Sequence, residues 1–404
     1  MFDVRPTENL EDFQRALFAI GQYFGPEPTP ERAEKFSQSL PFERMHAARE
    51  DGAIVGGAGV FPFEMGIPGG IVRCAGVTVV GVYPTHRRRG VLRAMMRAQI
   101  DDIHARGEPI AALWASEETI YGRFGYGMAA YTGEISLARE HSEFAHPFEP
   151  RGRVRLLEPS EALELLPPIW ERALQQTPGM FRRERPWWEN RVVHDPPERR
   201  EGGGPKRFAL LELDGEPQAY AIYRHNPKWD EGSSAARLGI VEAIGATPRG
   251  TAELWRFLLD IDWQASITAD LLPIDHPLFF LLAKPRRMKY RLGDGVWVRI
   301  VDVGAALSAR SYAHDGEVVF EVVDAFAPWN EGRWKLAGGS CERTDDDADL
   351  RCDVTALGSV YLGGFTFAEL ARGLRVQELE EGAIDRADSI FRRTAVAPWC
   401  PEIF

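Results

Sequence analysis

The sequence predicts an α/β unit that occurs twice in tandem, followed by an α+β domain. Three observations indicate this organisation. A β-branched run, a proline break, an arginine-glycine turn and an amphipathic helix follow one another in Val77–Ile103. The same layout returns in Val241–Asp262, but without the arginine triplet of the first copy. Beyond about Arg291, strand-like runs and two short helical segments continue without a glycine-rich phosphate turn.

The composition of the 404-residue chain bounds its organisation and its partners. Hydrophobic residues make up 44% of the sequence, enough to fill two or three domain cores, and we place the domains at residues 1–150, 151–290 and 291–404. The net charge of −12 argues against broad nucleic-acid or acidic-membrane binding and slightly favours a cationic substrate. Since neither a signal peptide nor a run of about 18 apolar residues is found, we expect a soluble, cytoplasmic protein.

The cysteines and histidines show no metal-binding pattern. The four cysteines include no CxxC pair, and although Cys341 and Cys352 lie close enough to pair across a hairpin, we expect a reduced chain. The histidines are dispersed without HExxH spacing, so we predict no metal site. The acidic run Glu342–Asp349 lacks the ordered pattern of a calcium loop and is interpreted as a solvated turn.

Apolar periodicity and turn residues predict the elements of the first copy. A helix ending at Gly25-Pro26 is predicted from the spacing of Leu10, Phe13, Leu17, Ile20 and Phe24. The other predicted elements are a hairpin of Met45–Arg49 and Ala53–Phe61 around Glu50-Asp51-Gly52, the strand Val77–Val82, a helix with Leu92, Met95, Met96, Ile100 and Ile103 on one face, and the strands Ile110–Leu113 and Ala129–Leu137.

The second copy and the third domain follow from the same signals. Their predicted elements are a hairpin of Leu210–Leu213 and Gln218–Arg224 around Asp214-Gly215, the strand-break-helix unit Val241–Asp262, the strands Val296–Val301, Glu317–Val323 and Trp334–Leu336, and the helices Thr366–Leu374 and Ile384–Thr394. The chain ends in apolar residues, and because chain ends fray unless docked, we expect Ile403 and Phe404 to insert into the fold.

The turn of the first copy has the chemistry of an anion site. Unsatisfied N–H groups at a helix start bind anions, a glycine lets the backbone approach a phosphate, and guanidinium groups add bidentate donors. Arg87–Arg93 therefore suits a pyrophosphate, and the preceding strand could pair with an extended amide chain. An exposed basic loop without a ligand is the alternative interpretation.

Two stretches carry a more specific resemblance. Arg87–Leu92 matches the R-x-x-G-x-[GA] acetyl-CoA loop of the GNAT superfamily of N-acetyltransferases at Arg87 and Gly90, while Leu92 departs from the small final residue. PTHRRRGVLRAMM together with ASEETIYGRFGYG resembles the Eis (enhanced intracellular survival) family of N-acetyltransferases, and the resemblance covers the full length. It implies two tandem GNAT acetyltransferase folds, mixed sheets flanked by helices with only the first functional, and a sterol-carrier-protein-like α+β third domain.

Residue by residue, the resemblance also implies a site. Tyr121 would be the general acid, and the carboxylate of Phe404 the general base, entering the active site from the third domain. Acetyl-CoA would be the co-substrate, a primary amine (aminoglycoside, polyamine or lysine side chain) the acceptor, and a homohexamer the assembly. The implied acetyl-CoA contacts are Val80, Gly81, Val82, Arg88, Arg89, Gly90, Val91, Leu92, Arg93, Ser116 and Glu117.

Elementary acid–base chemistry agrees with those roles. An alkyl amine with a pKa of ~10 must lose a proton before it attacks a thioester, and a leaving thiolate, whose thiol has an ordinary pKa of ~8.5, needs a proton that a tyrosine can supply. An α-carboxyl near ~3.5 is a weak base in water and needs burial, a water relay or attraction of the cation to act. Without the resemblance, Tyr121 and Tyr126 are packing aromatics; with it, Tyr126 remains structural.

Other interpretations remain open from sequence alone. Gln22 stands where the family pattern has an acidic residue nearby, and Glu402 lies one residue further from the end, so aminoglycoside acceptance is less supported than acetyl transfer. Phe24 and Trp114 could line the pocket or pack in the core. His86 could be catalytic, but a loop histidine next to a phosphate is more often a spectator or an extra donor. A rival function is a non-catalytic small-molecule or lipid-binding protein that uses the sterol-carrier-like third domain. Nucleic-acid binding through Arg87–Arg89 fits the net charge poorly.

Overall fold

Three sheets form the framework of the chain: among the described residues, two contain seven strands each and one contains five. A computed structural model describes residues 2–25, 29–200, 202–392 and 396–404. These residues divide into two compact units. The first comprises residues up to Ala130, Gly295–Pro398 and Ile403–Phe404, and the second comprises Tyr131–Asp294 and Trp399–Glu402.

The elements follow one another along the chain as strands and helices of ordinary length. In the first 138 residues they are β1 (Asp3–Pro6), α1 (Leu10–Phe24), α2 (Pro30–Ser37), β2 (Met45–Glu50), β3 (Ala53–Ile67), β4 (Gly70–Val82), α3 (Val91–Ala105), β5 (Ile110–Trp114), α4 (Glu118–Tyr121), β6 (Tyr126–Met128) and β7 (Tyr131–Ala138). From residue 153 to 294 they are β8 (Arg153–Leu157), α5 (Pro159–Leu165), α6 (Pro167–Leu174), α7 (Arg185–Trp187), β9 (Arg207–Leu213), β10 (Glu216–Asn226), β11 (Trp229–Asp230), β12 (Ser233–Ser234), β13 (Arg237–Gly245), α8 (Pro248–Asp260), β14 (Ser266–Leu272), α9 (Leu278–Leu281) and β15 (Arg291–Asp294). The remainder comprises β16 (Val296–Ile300), α10 (Val303–Ala309), β17 (Glu317–Val323), β18 (Gly332–Ala337), β19 (Ser340–Arg343), β20 (Leu350–Asp353), α11 (Val354–Tyr361), α12 (Phe367–Arg372), β21 (Val376–Glu378) and α13 (Ala383–Phe391).

The two large sheets have matching strand orders, which agrees with the predicted duplication. The first runs β1-β2-β3-β4-β5-β16-β6 and the second, in the corresponding direction, β8-β9-β10-β13-β14-β7-β15. Their central pairs, β4 with β5 and β13 with β14, are parallel, whereas the flanking pairs are antiparallel. In both copies an Asp-Gly turn with positive φ at both residues joins the hairpin strands, as expected from the sequence.

One strand from each copy completes the sheet of the other copy. By chain order β7 follows the first copy, yet it pairs with β14 and β15 in the second sheet. Similarly, β16 follows the second copy, yet it lies between β5 and β6 in the first sheet. The sheets therefore cross the predicted boundaries at residues 150 and 290. The three-part division remains a prediction about repeats in the sequence, and Val296–Val301 is not a strand of the third domain's sheet.

The third domain has a five-stranded sheet covered by short helices. Its order is β19-β18-β17-β20-β21, with β17 parallel to β20. The interior is packed by Phe320, Phe367 and Phe391, whose ring centroids lie 5.1 to 6.0 Å apart. The helix α11, which sequence periodicity did not predict, is buried along its whole length and packs on β16 and β6 of the first sheet.

The predicted elements are largely confirmed, with three corrections. The strand-like stretch Ala129–Leu137 begins as a loop and belongs to β7, after the separate short strand β6. The α1 helix ends as predicted before Gly25, although Pro26 lies outside the described residues and Phe24 is 71% exposed rather than part of the core. The last helix ends at Phe391, and Thr394 lies outside the described residues. No helix within the described ranges is long and apolar enough to span a membrane.

Candidate active site

Strands β4 and β5 separate in the middle of the first sheet. In the described residues their parallel ladder joins Cys74–Gly76 to Ile110–Ala112, while β4 continues to Val82. A bulge accounts for the separation: Gly57 pairs with Gly81 and Gly59 with Thr78, so the register against β3 slips at Val79. Val79 has a φ of 46°, which is rare for a β-branched residue. The backbone of Val80–Val82 beyond the bulge therefore borders a cleft instead of a continuous ladder.

The loop that follows β4 presents backbone N–H groups at the start of α3. Gly90 is the residue before the helix, has a φ of 89°, and no side chain caps the helix there. At the start of α3, the first backbone N–H that donates a hydrogen bond to a backbone carbonyl of the helix is that of Ala94, which donates to Gly90 at 3.0 Å. Nothing lies within 4 Å of a Cβ built on Gly90, so the approach to these donors is open. This geometry suits an anion.

A cavity of about 550 Å³ joins the cleft to this helix start. Ten of the eleven residues expected to contact acetyl-CoA line it, together with Tyr121. Arg89 is the exception, because its guanidinium pairs with the carboxylate of Glu50 at 2.6 and 2.9 Å. The lining of the cavity thus combines guanidinium groups, the N–H groups at the start of α3 and the backbone of β4. Such a lining can hold a diphosphate attached to an extended amide chain.

Tyr121 lies at the C-terminal end of α4 and is 8% exposed. Burial, with a smaller contribution from the charge of Glu117, raises the pKa of Tyr121 to about 12. The ring of Tyr126 stands edge-on to it at 6.1 Å between centroids. Tyr126 is fully buried, and it pairs across the sheet with Arg299 of β16. Tyr121 is therefore the tyrosine of this pair that faces the cavity.

The last two residues have different environments. The ring of Phe404 is 7% exposed and meets Phe63 of β3 edge-on, with centroids 5.0 Å apart and planes at 86°. Ile403 is 56% exposed, so the expected insertion is confirmed for Phe404 and wrong for Ile403. Phe404 is not among the residues that line the 550 Å³ cavity in the described part of the chain, although it belongs to the same compact unit.

Glu402 is held inside the second unit by charged and aromatic partners. Its carboxylate lies 2.7 Å from Nη2 of Arg183, accepts a hydrogen bond from Nε1 of Trp187 at 2.9 Å, and lies 3.7 Å from Arg191. Arg183 is itself buried and also pairs with Glu242. The negative charge of Glu402 is therefore neutralised by arginines. Gln22, the other position considered for amine binding, is exposed and is not part of the cavity lining in the described residues.

The structure adds lining residues that sequence spacing did not identify. Tyr23 lies at the cavity and its hydroxyl donates to the carbonyl of Val82 at 2.8 Å, which ties the end of α1 to β4. Phe24 also lines the cavity, as one of its two sequence interpretations proposed, while Trp114 lies outside the lining in the described part of the chain. The sequence signal that could have identified Tyr23 and Phe24 is their position immediately before the glycine that ends α1.

The remaining candidate groups are occupied by structural contacts. His86 lies at the cavity, but its imidazole contacts Thr85 at 2.8 Å and Glu50 at 3.1 Å. In the acidic run, Asp346 pairs with Lys335 at the surface, in keeping with a solvated turn. All four cysteines are buried, and none of them is part of a disulfide. Within the described ranges no cluster of histidine, cysteine, aspartate or glutamate residues has the arrangement of a metal site.

Comparison with protein families matches three segments of the chain. Residues 3–129 and 179–300 each match an acetyltransferase (GNAT) domain, and residues 303–401 match a sterol carrier protein domain. These matches confirm the predicted fold class of two tandem acetyltransferase folds followed by a sterol-carrier-like domain. The second match extends over β16, the strand that completes the first sheet.

Relatives match over nearly the whole chain. An uncharacterised N-acetyltransferase of Streptomyces avermitilis is 41% identical over 95% of each chain, and the N-acetyltransferase Eis of Mycobacterium tuberculosis is 37% identical over 90% of each. Among solved structures, Eis1 from Mycobacterium abscessus superimposes with a TM-score of 0.86 at 32% identity, covering 100% of both chains. The splayed strands, the arginine-glycine loop and Tyr121 therefore lie in a fold shared with named acetyltransferases.

Proposed function

Because the chain belongs to the Eis family of GNAT N-acetyltransferases, we propose that it transfers the acetyl group of acetyl-CoA to a primary amine of an aminoglycoside, a polyamine or a lysine side chain. The observation that carries the proposal is the convergence of the cleft at Val80–Val82, the helix start at Gly90 and the buried Tyr121 on one cavity. We assign the site to the first copy, because Val241–Asp262 of the second copy lacks the arginine triplet.

The cavity lining divides the binding of acetyl-CoA into two parts. Arg88 and Arg93 and the N–H groups that follow Gly90 would hold the pyrophosphate, because oriented donors and cations neutralise its charge. The backbone of Val80–Val82 would pair with the amide arm and direct the thioester toward Tyr121. Acetyl-CoA supplies a thioester that an amine can attack directly.

Tyr121 would donate the proton that the departing sulfur requires. The amine nitrogen forms a bond to the acetyl carbonyl carbon, the carbon–sulfur bond breaks, and the tyrosine hydroxyl protonates the thiolate. Since burial raises the pKa of Tyr121 to about 12, the hydroxyl keeps its proton at neutral pH. The same low-dielectric surroundings raise the proton affinity of a thiolate beside it, so the two groups stay comparable in proton affinity.

The carboxylate of Phe404 is our proposed base for the incoming ammonium group. The supporting observation is that the ring of Phe404 is buried against Phe63, which fixes the residue within the first unit. A carboxylate so held would attract a cationic amine and accept its proton on attack. A C-terminal extension of three glycines tests this role: we expect acetyl transfer to fall sharply while acetyl-CoA binding is kept. Undiminished transfer would remove the carboxylate from the mechanism.

A lipid-carrier function of the third domain is the second candidate. The match to a sterol carrier protein domain supports this function, but the interior rings of Phe320, Phe367 and Phe391 pack directly on one another. A domain whose interior is filled by its own side chains serves better as a scaffold than as a carrier. Titration calorimetry with acetyl-CoA separates the two functions. We expect saturable binding of one acetyl-CoA per chain, whereas its absence favours the carrier.

We propose that the chain forms a homo-oligomer, because large apolar residues of the second unit are exposed. The family resemblance implies a hexamer. Trp229, Trp263 and Phe280 are 66%, 71% and 82% exposed. Exposed aromatic residues of this size commonly mark protein interfaces. Sedimentation of the full chain tests the proposal, and a monomer at micromolar concentration contradicts it.

A further inference from the structure

A segment of the third domain packs beside the acetyl-CoA cavity, within the first compact unit. This segment, Asp324–Asn330, connects β17 to β18. Its residue Phe326 is 4% exposed and belongs to the same apolar cluster as Met96, Tyr121 and Phe124. The sterol-carrier-like domain thus contributes a side chain to the core of the acetyltransferase domain.

Phe326 lies beside two side chains that line the cavity, Arg93 and Phe124. The guanidinium carbon of Arg93 lies 5.7 Å from the centroid of the Phe326 ring, and that of Arg97, one helical turn further, lies 4.1 Å away. The ring of Phe124 meets Phe326 edge-on at 5.2 Å between centroids. Arg93 and Phe124 both line the cavity. A phenyl face at these distances attracts a guanidinium and restricts its rotamers.

A buried ion pair fixes the position of Phe326. Oδ1 of Asp324 accepts hydrogen bonds from the N–H groups of Phe326 and Ala327 at 3.2 and 3.0 Å. Its Oδ2 accepts from Nη2 of Arg299 at 2.6 Å and from Asn330 at 3.0 Å. Arg299 is fully buried on β16, the strand between β5 and β6. Because removing one partner of a buried pair is costly, this connection holds the segment in a defined place.

We propose that Phe326 is a positioning residue for Arg93, through which the third domain sets the affinity of the site for the phosphates of CoA. The inference rests on the proposed function. Arg93 on a bare helix surface would sample many rotamers and lose entropy on binding a phosphate. The aromatic face of Phe326, whose centroid lies 5.7 Å from the guanidinium carbon, attracts the Arg93 guanidinium beforehand, so less of that entropy is lost when the ligand binds.

A double-mutant cycle on the full chain tests the inference with CoA as the titrant. We expect Phe326→Leu, which keeps apolar volume and removes the aromatic face, to raise the Kd for CoA about fivefold. In an Arg93→Ala background the same substitution should change Kd by less than about twofold, since residues that act through one another are not additive. Turnover at saturating acetyl-CoA should stay near that of the unsubstituted protein, so that the loss appears in KM.

The outcomes separate the inference from the proposed function. If the unsubstituted protein does not bind CoA, the proposed function fails and the inference fails with it. If that protein binds CoA but Phe326→Leu leaves Kd unchanged, or weakens binding equally in both backgrounds, the positioning role of Phe326 is overturned and the proposed function stands.

Trp329→Phe is the matched control, because Trp329 lies in the same segment but stacks on His104 at 4.3 Å. Its Kd should not change. If thermal melting shows that Phe326→Leu does not fold, the cycle is measured with Phe326→Met instead.

Discussion

Burial gives Tyr121 the protonation state that a general acid needs. Its hydroxyl belongs to a side chain that is 8% exposed, and its pKa rises to about 12 mainly because the phenolate would lose hydration. The neighbouring charge of Glu117 acts in the same direction. A tyrosine with the ordinary pKa of ~10 would already lose some of its acid form in mildly alkaline solution.

The pH dependence of acetyl transfer should reflect this raised pKa. In the proposed mechanism the protonated form of Tyr121 is the active one, so the raised pKa of Tyr121 shifts the loss of that form to higher pH. We expect kcat/KM to rise with pH as the acceptor amine loses its proton, and to show no descending limb below about pH 10.5. Steady-state rates measured from about pH 6 to 10.5 by thiol release check this. A descending limb with an apparent pKa below about 10 would contradict the assignment.

At the residue scale, the family resemblance implied eleven of the twenty residues that line the cavity, but not the directions of their side chains. Arg88 and Arg93 line the cavity, whereas Arg89 between them turns to Glu50. Three consecutive arginines look equivalent in sequence, whereas in the structure Arg88 and Gly90 have left-handed φ values and the three backbone environments differ. Phe326 could not be foreseen at all, because it reaches Arg93 from more than two hundred positions further along the chain.

At the element scale, α1 packs on the first sheet through two alanines together with one large residue, Phe13. Phe13, Ala16 and Ala19 are its fully buried side chains, while Phe24 is exposed at the cavity. Glycines in the sheet allow this close approach: a Cβ on Gly57 would lie 2.2 Å from the carbonyl oxygen of Ala16. The spacing of large apolar residues predicted the helix and the burial of Phe13, but it missed Ala16 and Ala19, because alanine–glycine contacts leave no such periodic signal.

A Gly57→Ala substitution should therefore push α1 away from the sheet. We expect the free energy of unfolding to fall by about 2 kcal/mol, since the added methyl meets rigid backbone. Thermal melting followed by circular dichroism measures the loss. Gly70→Ala is the matched control, because nothing lies within 4 Å of a Cβ on Gly70. Equal melting midpoints of the two variants would show that the helix is not packed as closely as described.

At the scale of the whole molecule, the exchange of β7 and β16 makes each sheet depend on a distant part of the chain. Val298 and Ile300 of β16 are fully buried, and the strand pairs on both edges with β5 and β6. The sequence shows two similar copies, but a strand that leaves one sheet for another has the same apolar pattern in either place. Only the pairing partners distinguish the two arrangements. The helix α11 was missed for a related reason, because a short apolar run fits a strand or a buried helix equally well.

A fragment of residues 1–150 should consequently fail to fold. It lacks β16, so β5 and β6 lose the strand between them and expose unpaired edges. A matched fragment that joins residues 1–130 to 295–404 through a glycine-serine linker keeps nearly all of the first compact unit. We expect the joined fragment to be monodisperse and to bind CoA, and the short fragment to aggregate. Gel filtration with calorimetry distinguishes them, and a monomeric, CoA-binding 1–150 fragment would contradict the exchange.

The third domain has a wider role in this molecule than carrying the last residue. It packs α11 on the first sheet, pairs Asp324 with Arg299 and places Phe326 beside Arg93. These contacts lie within the first compact unit and none of them requires a lipid. The acetyltransferase fold and the sterol-carrier-like fold therefore act as one structural body at the cavity.

The most direct test of the proposed activity compares acetyl transfer by the unsubstituted protein and by Tyr121→Phe. The measurement is kcat for thiol release from acetyl-CoA with an aminoglycoside, a polyamine and a lysine-bearing peptide as acceptors, with mass spectrometry of the acetylated product. We predict transfer to at least one acceptor, a kcat about a hundredfold or more lower in the variant, and an acetyl-CoA Kd unchanged within about twofold. Transfer at an equal kcat in both proteins, or no transfer by either one despite acetyl-CoA binding, would contradict the account.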